Sequence, residues 1–300
     1  MRNKKQYDKI NRKAFKLDRG GSCLMSLQTT YQLNNGTEIP AIGLGVYKAE
    51  PGKEVYEAVK SALEIGYRHI DTASLYANEA DVGKAIRDSG VPREEIFVTT
   101  KVWNDEQGYE ETKEAFNRSL ARLEMDYVDL YLVHWPVPGK FTETYRALED
   151  IYQEGRAKAI GVSNFLPHHL EELLQSAKIT PAVNQVELHP ELQQIETQDY
   201  CKKHGILVEA WAPLGKASYF NHPTLMKLSS KYKKTPAQII IRWQFQSGII
   251  TIPKSVRRER QMENVNIFDF ELTDNDIKDI ELMNLEKRIG MHPDEFDYGV

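Results

Sequence analysis

The chain has 300 residues, 41% hydrophobic and 28% charged, with a formal net charge of −5 at pH 7. Such a composition can bury a full globular core and excludes a disordered chain. Lysine and arginine are scattered, so neither a nucleic-acid stripe nor a polybasic membrane surface is read, and no apolar run approaches the roughly 20 residues of a membrane span.

Residues 1–25 are basic and polar, with no apolar stretch before Gly20-Gly21-Ser22-Cys23, so they read as neither a secretory signal nor a lipid anchor. They are expected to be a disordered tail or a segment not natively translated. Arg19-Gly20-Gly21 is what a purine-rich ribosome-binding site just ahead of Met25 would encode. Residues 26–300 read as one domain. The two cysteines, Cys23 and Cys201, are too few and too far apart for a disulfide framework, which fits a reducing, cytosolic compartment.

The stretch "TYQLNNGTEIPAI" sets Asn-Gly between two short strand-like runs, the signal of a β-hairpin that could close the bottom of a barrel. Eight short β-branched or aromatic runs follow, at 42–47, 67–73, 96–103, 128–135, 157–164, 182–189, 206–213 and 248–255. Helical patterns alternate with them at 52–65, 78–89, 110–124, 143–154, 167–176, 194–204, 222–232 and 235–247. Eight such alternations predict an α/β fold, a (β/α)8 TIM barrel.

Active sites of this architecture sit at the carboxyl ends of the strands, and polar residues gather there. Asp71 and Tyr76 follow the second strand, Lys101 ends the third, His134 the fourth, Ser163 and Asn164 the fifth, Trp211 the seventh and Lys254 the eighth, while Gln185 sits on the sixth. Taken alone, an aspartate after a strand reads more readily as a cap, and a histidine in "LVHW" as a core residue. Lys101 is harder to dismiss, because an ammonium following "IFVTT" needs a buried counter-ion. A phenol is a poor acid near neutrality, but an adjacent ammonium lowers its pKa and makes Tyr76 a usable general acid. Asp71 would orient Lys101, and His134 could donate to a carbonyl oxygen. Such a site protonates an oxyanion as it forms. It lacks an electron-pair donor, which a reduced nicotinamide would supply.

The strings "GYRHIDTASLYANEADVGKAI", "VTTKVW", "DYVDLYLVHWP", "GRAKAIGVSNF", "NQVELHP", "EAWAPLG" and "IIIRWQFQSGIITIPKSVRRERQMEN" are similar, in order and spacing, to the motifs of the aldo-keto reductases, a resemblance that spans residues 28–300. It implies a catalytic tetrad of Asp71, Tyr76, Lys101 and His134. It implies nicotinamide contacts from Ser163, Asn164 and Gln185, a stacking face from Trp211, and further cofactor contacts from Pro213, Leu214 and Val256. The 2′-phosphate of NADPH would meet Lys254, Ser255 and Arg260, and the adenine Glu263 and Asn264. Two cations and a hydroxyl favour a dianionic phosphate, so NADPH (NADP when oxidised) is the expected cofactor. Tyr47, Trp103 and Trp135, with His134, match positions that wall the family's substrate pocket. Short loops after the fourth and seventh strands and a short tail after Asn284 imply an open pocket for small carbonyl compounds such as methylglyoxal, glyceraldehyde, aromatic aldehydes and some keto sugars, in a monomer.

Three other readings are weaker. Gly43-Leu44-Gly45 lacks the third glycine and the βαβ context of a dinucleotide fingerprint. A metal site from His69, Asp71, His134 and His189 would place a cation beside Lys101, so no metal is expected and a metal-dependent hydrolase is disfavoured. A redox-sensing regulatory barrel that binds NADPH without catalysis would need an impaired tetrad or a partner surface. All four tetrad positions are filled here.

Overall fold

The structure, a computed structural model, describes residues 25–299. The tail reading of residues 1–24 therefore lies outside the described residues. Strands β1 (Thr30–Gln32) and β2 (Glu38–Pro40) pair antiparallel, Tyr31 opposite Ile39, around the predicted turn, where Gly36 takes a φ of 88°. Tyr31 and Ile39 turn inward, and the Tyr31 hydroxyl donates to the Phe245 carbonyl at 2.8 Å. Asn35 and Asn34 donate to the carbonyls of Lys158 and Pro181, just ahead of two barrel strands. The hairpin thus caps the amino-terminal end of the barrel, as its sequence predicts.

Eight parallel strands follow in chain order: β3 (Leu44–Gly45), β4 (His69–Asp71), β5 (Phe97–Val102), β6 (Leu130–Val133), β7 (Ile160–Ser163), β8 (Val183–Glu187), β9 (Leu207–Trp211) and β10 (Ile250–Thr251). Each pairs with its sequence neighbour. Parallel bridges from Ile42 to Thr251 and from Gly45 to Lys254 join the last strand to the first. The curled sheet closes into the predicted (β/α)8 barrel. Every residue of β5, β6, β7 and β8 is buried, as expected of parallel strands covered on both faces. The first and last strands are shorter than their sequence runs. Pro253 has no N–H with which to extend β10.

Helices α1 (Lys53–Ile65), α2 (Glu79–Asp88), α3 (Tyr109–Leu123), α4 (Phe141–Gln153), α5 (Pro167–Leu174) and α6 (Ile195–His204) each connect successive strands, and α7 (Pro223–Tyr232) and α8 (Pro236–Gln246) together connect β9 to β10. The start of α8 follows from sequence: Thr235 caps it, Gln238 completes the capping box, and Pro236 occupies the first turn. Gly83 lets α2 approach α3, since a Cβ there would lie 2.1 Å from the Leu123 carbonyl oxygen. At the same contact Glu79 is buried and accepts from Thr100 on β5 at 2.6 Å and from Arg122 on α3 at 2.7 Å. That latch fixes the outer helices to the strand that carries Lys101.

Two helices were not read from sequence: α9 (Arg258–Val265) and α10 (Asp274–Glu281). The first buries only Gln261 and Asn264 and so shows no apolar stripe; Gln261 holds it by donating to the Ala58 and Ser255 carbonyls at 2.9 Å each. Among the described residues, no helix is long and apolar enough to cross a membrane.

Candidate active site

Four side chains converge at the carboxyl ends of β4, β5 and β6. Asp71 is the last residue of β4, and a 3-10 turn at Ser74–Tyr76 brings Tyr76 back over the barrel mouth. Lys101 lies on β5 with its side chain fully buried. Its Nζ donates to Asp71 Oδ1 at 2.7 Å, to Asp71 Oδ2 at 2.9 Å and to the Thr72 carbonyl at 2.8 Å, and lies 3.4 Å from the Tyr76 hydroxyl. Burial works against the Lys101 ammonium, yet the Asp71 and Tyr76 charges outweigh it and its pKa is raised. Lys101 is therefore a fixed cation at neutral pH.

The Tyr76 hydroxyl differs from expectation in one respect. Burial pushes its pKa up to about 12, and the Lys101 charge offsets only part of that rise. The sequence shows the cation but not the desolvation that competes with it. Tyr76 therefore holds its proton throughout the neutral range, which suits a donor to a developing alkoxide, a far stronger base than phenolate.

The His134 ring meets the Tyr76 ring edge-on at 5.8 Å between centroids, and the Trp103 ring at 4.9 Å. Burial first, then the Lys101 charge, holds the imidazole well below its ordinary pKa, so it is neutral. Its Nδ1 has no hydrogen-bond partner. Asn164 fixes the His134 backbone by donating to its carbonyl at 3.0 Å, from a left-handed conformation (φ 65°) that asparagine tolerates. The Asn164 Oδ1 accepts from Trp211 Nε1 at 2.8 Å, and Ser163 Oγ donates to the Gln185 carbonyl at 2.8 Å. Ser163, Asn164, Gln185 and Trp211 thus form one connected rim from β7 to β9. The Gln185 amide nitrogen is engaged within the barrel: Nε2 donates to Asp71 Oδ2 and Glu209 Oε2, both at 2.8 Å.

Tyr47 is half exposed and its ring lies 5.0 Å from that of Tyr76. Trp135, by contrast, is covered. Phe296 stacks on it at 4.4 Å with an interplanar angle of 10° and also meets the Trp103 ring edge-on. The tail is short, as the sequence shows, but it crosses the mouth rather than leaving it open. The backbone N–H groups of Ile289 and Gly290 donate to the Glu187 carboxylate, Gly290 approaches Trp211 so closely that a Cβ would lie 2.5 Å from the indole, and Asp294 pairs with His168 and His169. Sequence reasoning missed Glu187, Glu209, Gly290 and Phe296. Glu209 alone carried a signal, a carboxylate within the apolar run "ILVEAWAP". The other histidines of the rejected metal reading have neighbours of their own: His69 Nε2 is 3.2 Å from Thr99 Oγ1, and His189 Nε2 is 3.1 Å from Glu187 Oε1.

The residues after β10 suit an anionic cofactor. Lys254 and Arg260 are exposed and have no acidic partner among the described residues, while Ser255 and Asn264 are buried beside them in sequence. Two free cations with a hydroxyl match the donor set of a 2′-phosphate. Ser255 Oγ is held in a turn, accepting from the Arg257 N–H at 3.2 Å, and Glu263 accepts from Thr235 Oγ1 at 2.6 Å. After β9, Pro213 accepts from Gln244 at 3.4 Å, and Leu214 and Val256 pack half-buried against the core. That loop carries left-handed residues at Ala212, Gly215, Lys216 and Ala217. Strained non-glycine backbone of this kind concentrates at ligand clamps.

Comparison with known proteins agrees with this geometry. The aldo/keto reductase family model matches residues 41–284. The chain is 53% identical over 270 residues to a glyoxal reductase of Bacillus subtilis, covering 90% of this chain and 98% of the relative. It is 44% identical over 276 residues to the methylglyoxal reductase DkgA of Escherichia coli, covering 91% and 99%. A crystal structure of a Gox0644 mutant in complex with NADPH superposes with a TM-score of 0.86 at 44% identity, covering 90% of this chain and 99% of that one. The chain belongs to the aldo/keto reductase family and is an NADPH-dependent oxidoreductase that reduces carbonyl groups.

Proposed function

We propose that this protein reduces small aldehydes and α-dicarbonyls of the glyoxal and methylglyoxal type to hydroxy compounds, with Tyr76 as proton donor. The observation that carries the assignment is the Tyr76 hydroxyl 3.4 Å from a fully buried Lys101 that is itself clamped by Asp71. NADPH, when bound, supplies the hydride to the carbonyl carbon. The chain does the rest. His134, neutral and with one N–H to give, holds the carbonyl oxygen, and Tyr76 Oη–H transfers its proton to that oxygen as negative charge develops. Lys101 then stabilises the phenolate left behind, and Asp71 keeps Lys101 oriented. Trp103 walls the substrate with Phe296, which lies over Trp135, Tyr47 lies at the exposed side, and Trp211 offers a flat apolar face to the nicotinamide alongside Ser163, Asn164 and Gln185.

On this reading Lys254, Ser255 and Arg260 receive the 2′-phosphate, and Glu263 and Asn264 lie at the adenine. Arg260→Ala is then expected to weaken NADPH binding by about 1.5–3 kcal/mol, the worth of one charge-assisted hydrogen bond, and to leave NADH binding almost unchanged. Fluorescence titration with both cofactors checks it; an equal loss for both would mean that Arg260 does not meet the 2′-phosphate. The names of the relatives favour dicarbonyl substrates, and a role in dicarbonyl removal by a monomer working in the cytosol is part of the same proposal. A low cysteine count, with Cys201 buried and unpaired, supports the reducing compartment.

The substrate assignment is tested by ranking kcat/KM for glyoxal, methylglyoxal, glyceraldehyde, an aromatic aldehyde and a keto sugar with NADPH. Small dicarbonyls are expected at the top, because Phe296 over Trp135 narrows the mouth. A strong preference for the keto sugar would overturn it.

A further inference from the structure

Beneath the tetrad lies an acid that the proton transfer does not use. Glu209, at the centre of β9, is fully buried. Its Oε2 accepts one proton of the Gln185 amide nitrogen, and the other proton of that nitrogen goes to Asp71. Its Oε1 has no hydrogen-bond partner and lies 3.6 Å from His69 Nε2, beyond hydrogen-bond range. The charged and polar groups facing Glu209 are His69 and Asp71 from β4, Lys101 from β5 and Gln185 from β8, with β10 alongside. Ile250 is its partner in register. The Thr251 hydroxyl is committed to Gln244 at 2.8 Å.

This space holds one fixed cation and two carboxyl groups. The polar contacts of Lys101 are Asp71, Thr72 and Tyr76, with none to Glu209. His69 supplies no second cation, because burial lowers its pKa to about 3. A second ionised carboxylate would therefore be only partly compensated, by the Gln185 N–H and the more distant Lys101 charge, in a low-dielectric interior, which is unfavourable. Asp71, in direct contact with the ammonium, is the carboxyl that keeps its charge, and Glu209 is the one that keeps its proton.

We propose that Glu209 is a positioning residue held as a neutral carboxylic acid, and that its ionisation, sensed through Gln185, Asp71 and Lys101, makes Tyr76 a weaker acid. The inference rests on Tyr76 being the proton donor. Burial, then repulsion from Asp71, raises the Glu209 carboxyl to about pH 8. Below that pH the group is neutral and Tyr76 responds to Lys101 and Asp71 alone. Above it, a second negative charge enters the barrel, strengthens the hold of Lys101 on its proton and disfavours the Tyr76 phenolate. Alcohol oxidation, which needs that phenolate as base, is held back on the alkaline side, whereas reduction keeps its protonated donor. A residue that merely accepted a hydrogen bond from Gln185 would have no such effect, since a glutamine in its place accepts equally well.

Two measurements on the purified protein test this. Infrared difference spectra of wild type across pH about 8 are expected to show the C=O band of a protonated carboxyl that fades as pH rises. Glu209→Gln should lack that band. The ultraviolet absorbance of the Tyr76 phenolate, taken as the difference between each protein and its Tyr76→Phe counterpart, should titrate about one pH unit lower in Glu209→Gln than in wild type. A wild type with no protonated-carboxyl band on the acid side, or an unshifted Tyr76 titration in Glu209→Gln, would overturn the proposal. Should Glu209→Gln fail to fold, Glu209→Met, similar in volume and uncharged, takes its place. Neither readout needs NADPH turnover, so failure here is distinct from failure of the reductase reading.

Discussion

Replacing Tyr76 with phenylalanine is expected to lower carbonyl reduction by about 10²–10⁴-fold, the usual contribution of a positioned general acid, with NADPH binding nearly intact. On the proposed reading the proton comes from Tyr76, because the other candidates are committed. Lys101 donates three short hydrogen bonds to Asp71 and Thr72, and its pKa is raised. His134 is neutral, so it can orient the oxygen but is a weak source of a proton. The phenylalanine ring keeps the contacts with Tyr47 and His134, so the fold at the mouth should survive. Single-turnover rates with saturating NADPH, set beside a binding isotherm for the cofactor, separate the two effects. Retained turnover would place the donor elsewhere.

Lys101→Met is expected to affect both activity and stability. The ammonium is the counter-charge of a carboxylate that is itself almost fully buried, with side-chain exposures of 0% and 3% for the pair. Removing one member of a buried pair costs about 3–5 kcal/mol, because the other is left charged in a low-dielectric site. Urea unfolding should show that loss as a lower midpoint with an unchanged slope. Activity should fall as well, since Tyr76 loses the charge that offsets its desolvation and its pKa rises further. The double variant Asp71→Asn/Lys101→Met discriminates between the two roles. It should recover part of the lost stability, with no buried charge left unpaired, and recover none of the activity. Recovery of both would mean that the pair is structural only.

The barrel was legible because eight short runs rich in β-branched and aromatic residues alternate with helical patterns, and most of those runs carry a polar residue at or near their carboxyl end. Asp71, Lys101 and His134 stand out against "RHI", "IFVTT" and "YLV", and the parallel register then brings those ends to one mouth. The hairpin was legible from Asn35-Gly36. What escaped has physical reasons. Helix α9 buries only two polar residues, so "RRERQMEN" shows no periodic apolar face. The Tyr76 acidity depends on a contest between desolvation and one cation, and residue types name the cation only. The Gln185 amide nitrogen turns into the barrel because two buried carboxyl groups accept from it, a tie that residue types alone do not reveal. Phe296 reaches Trp135 from a tail rich in acidic residues, a contact made by the path of the chain across the mouth rather than by any local pattern.

The most direct test of the account is to mix purified protein with methylglyoxal and NADPH, and to follow the loss of NADPH absorbance against the hydroxy product formed. One NADPH consumed per carbonyl reduced is the predicted result, with NADH a much poorer donor. Tight NADPH binding with no product would contradict it and point instead to a barrel that senses the cofactor without catalysis.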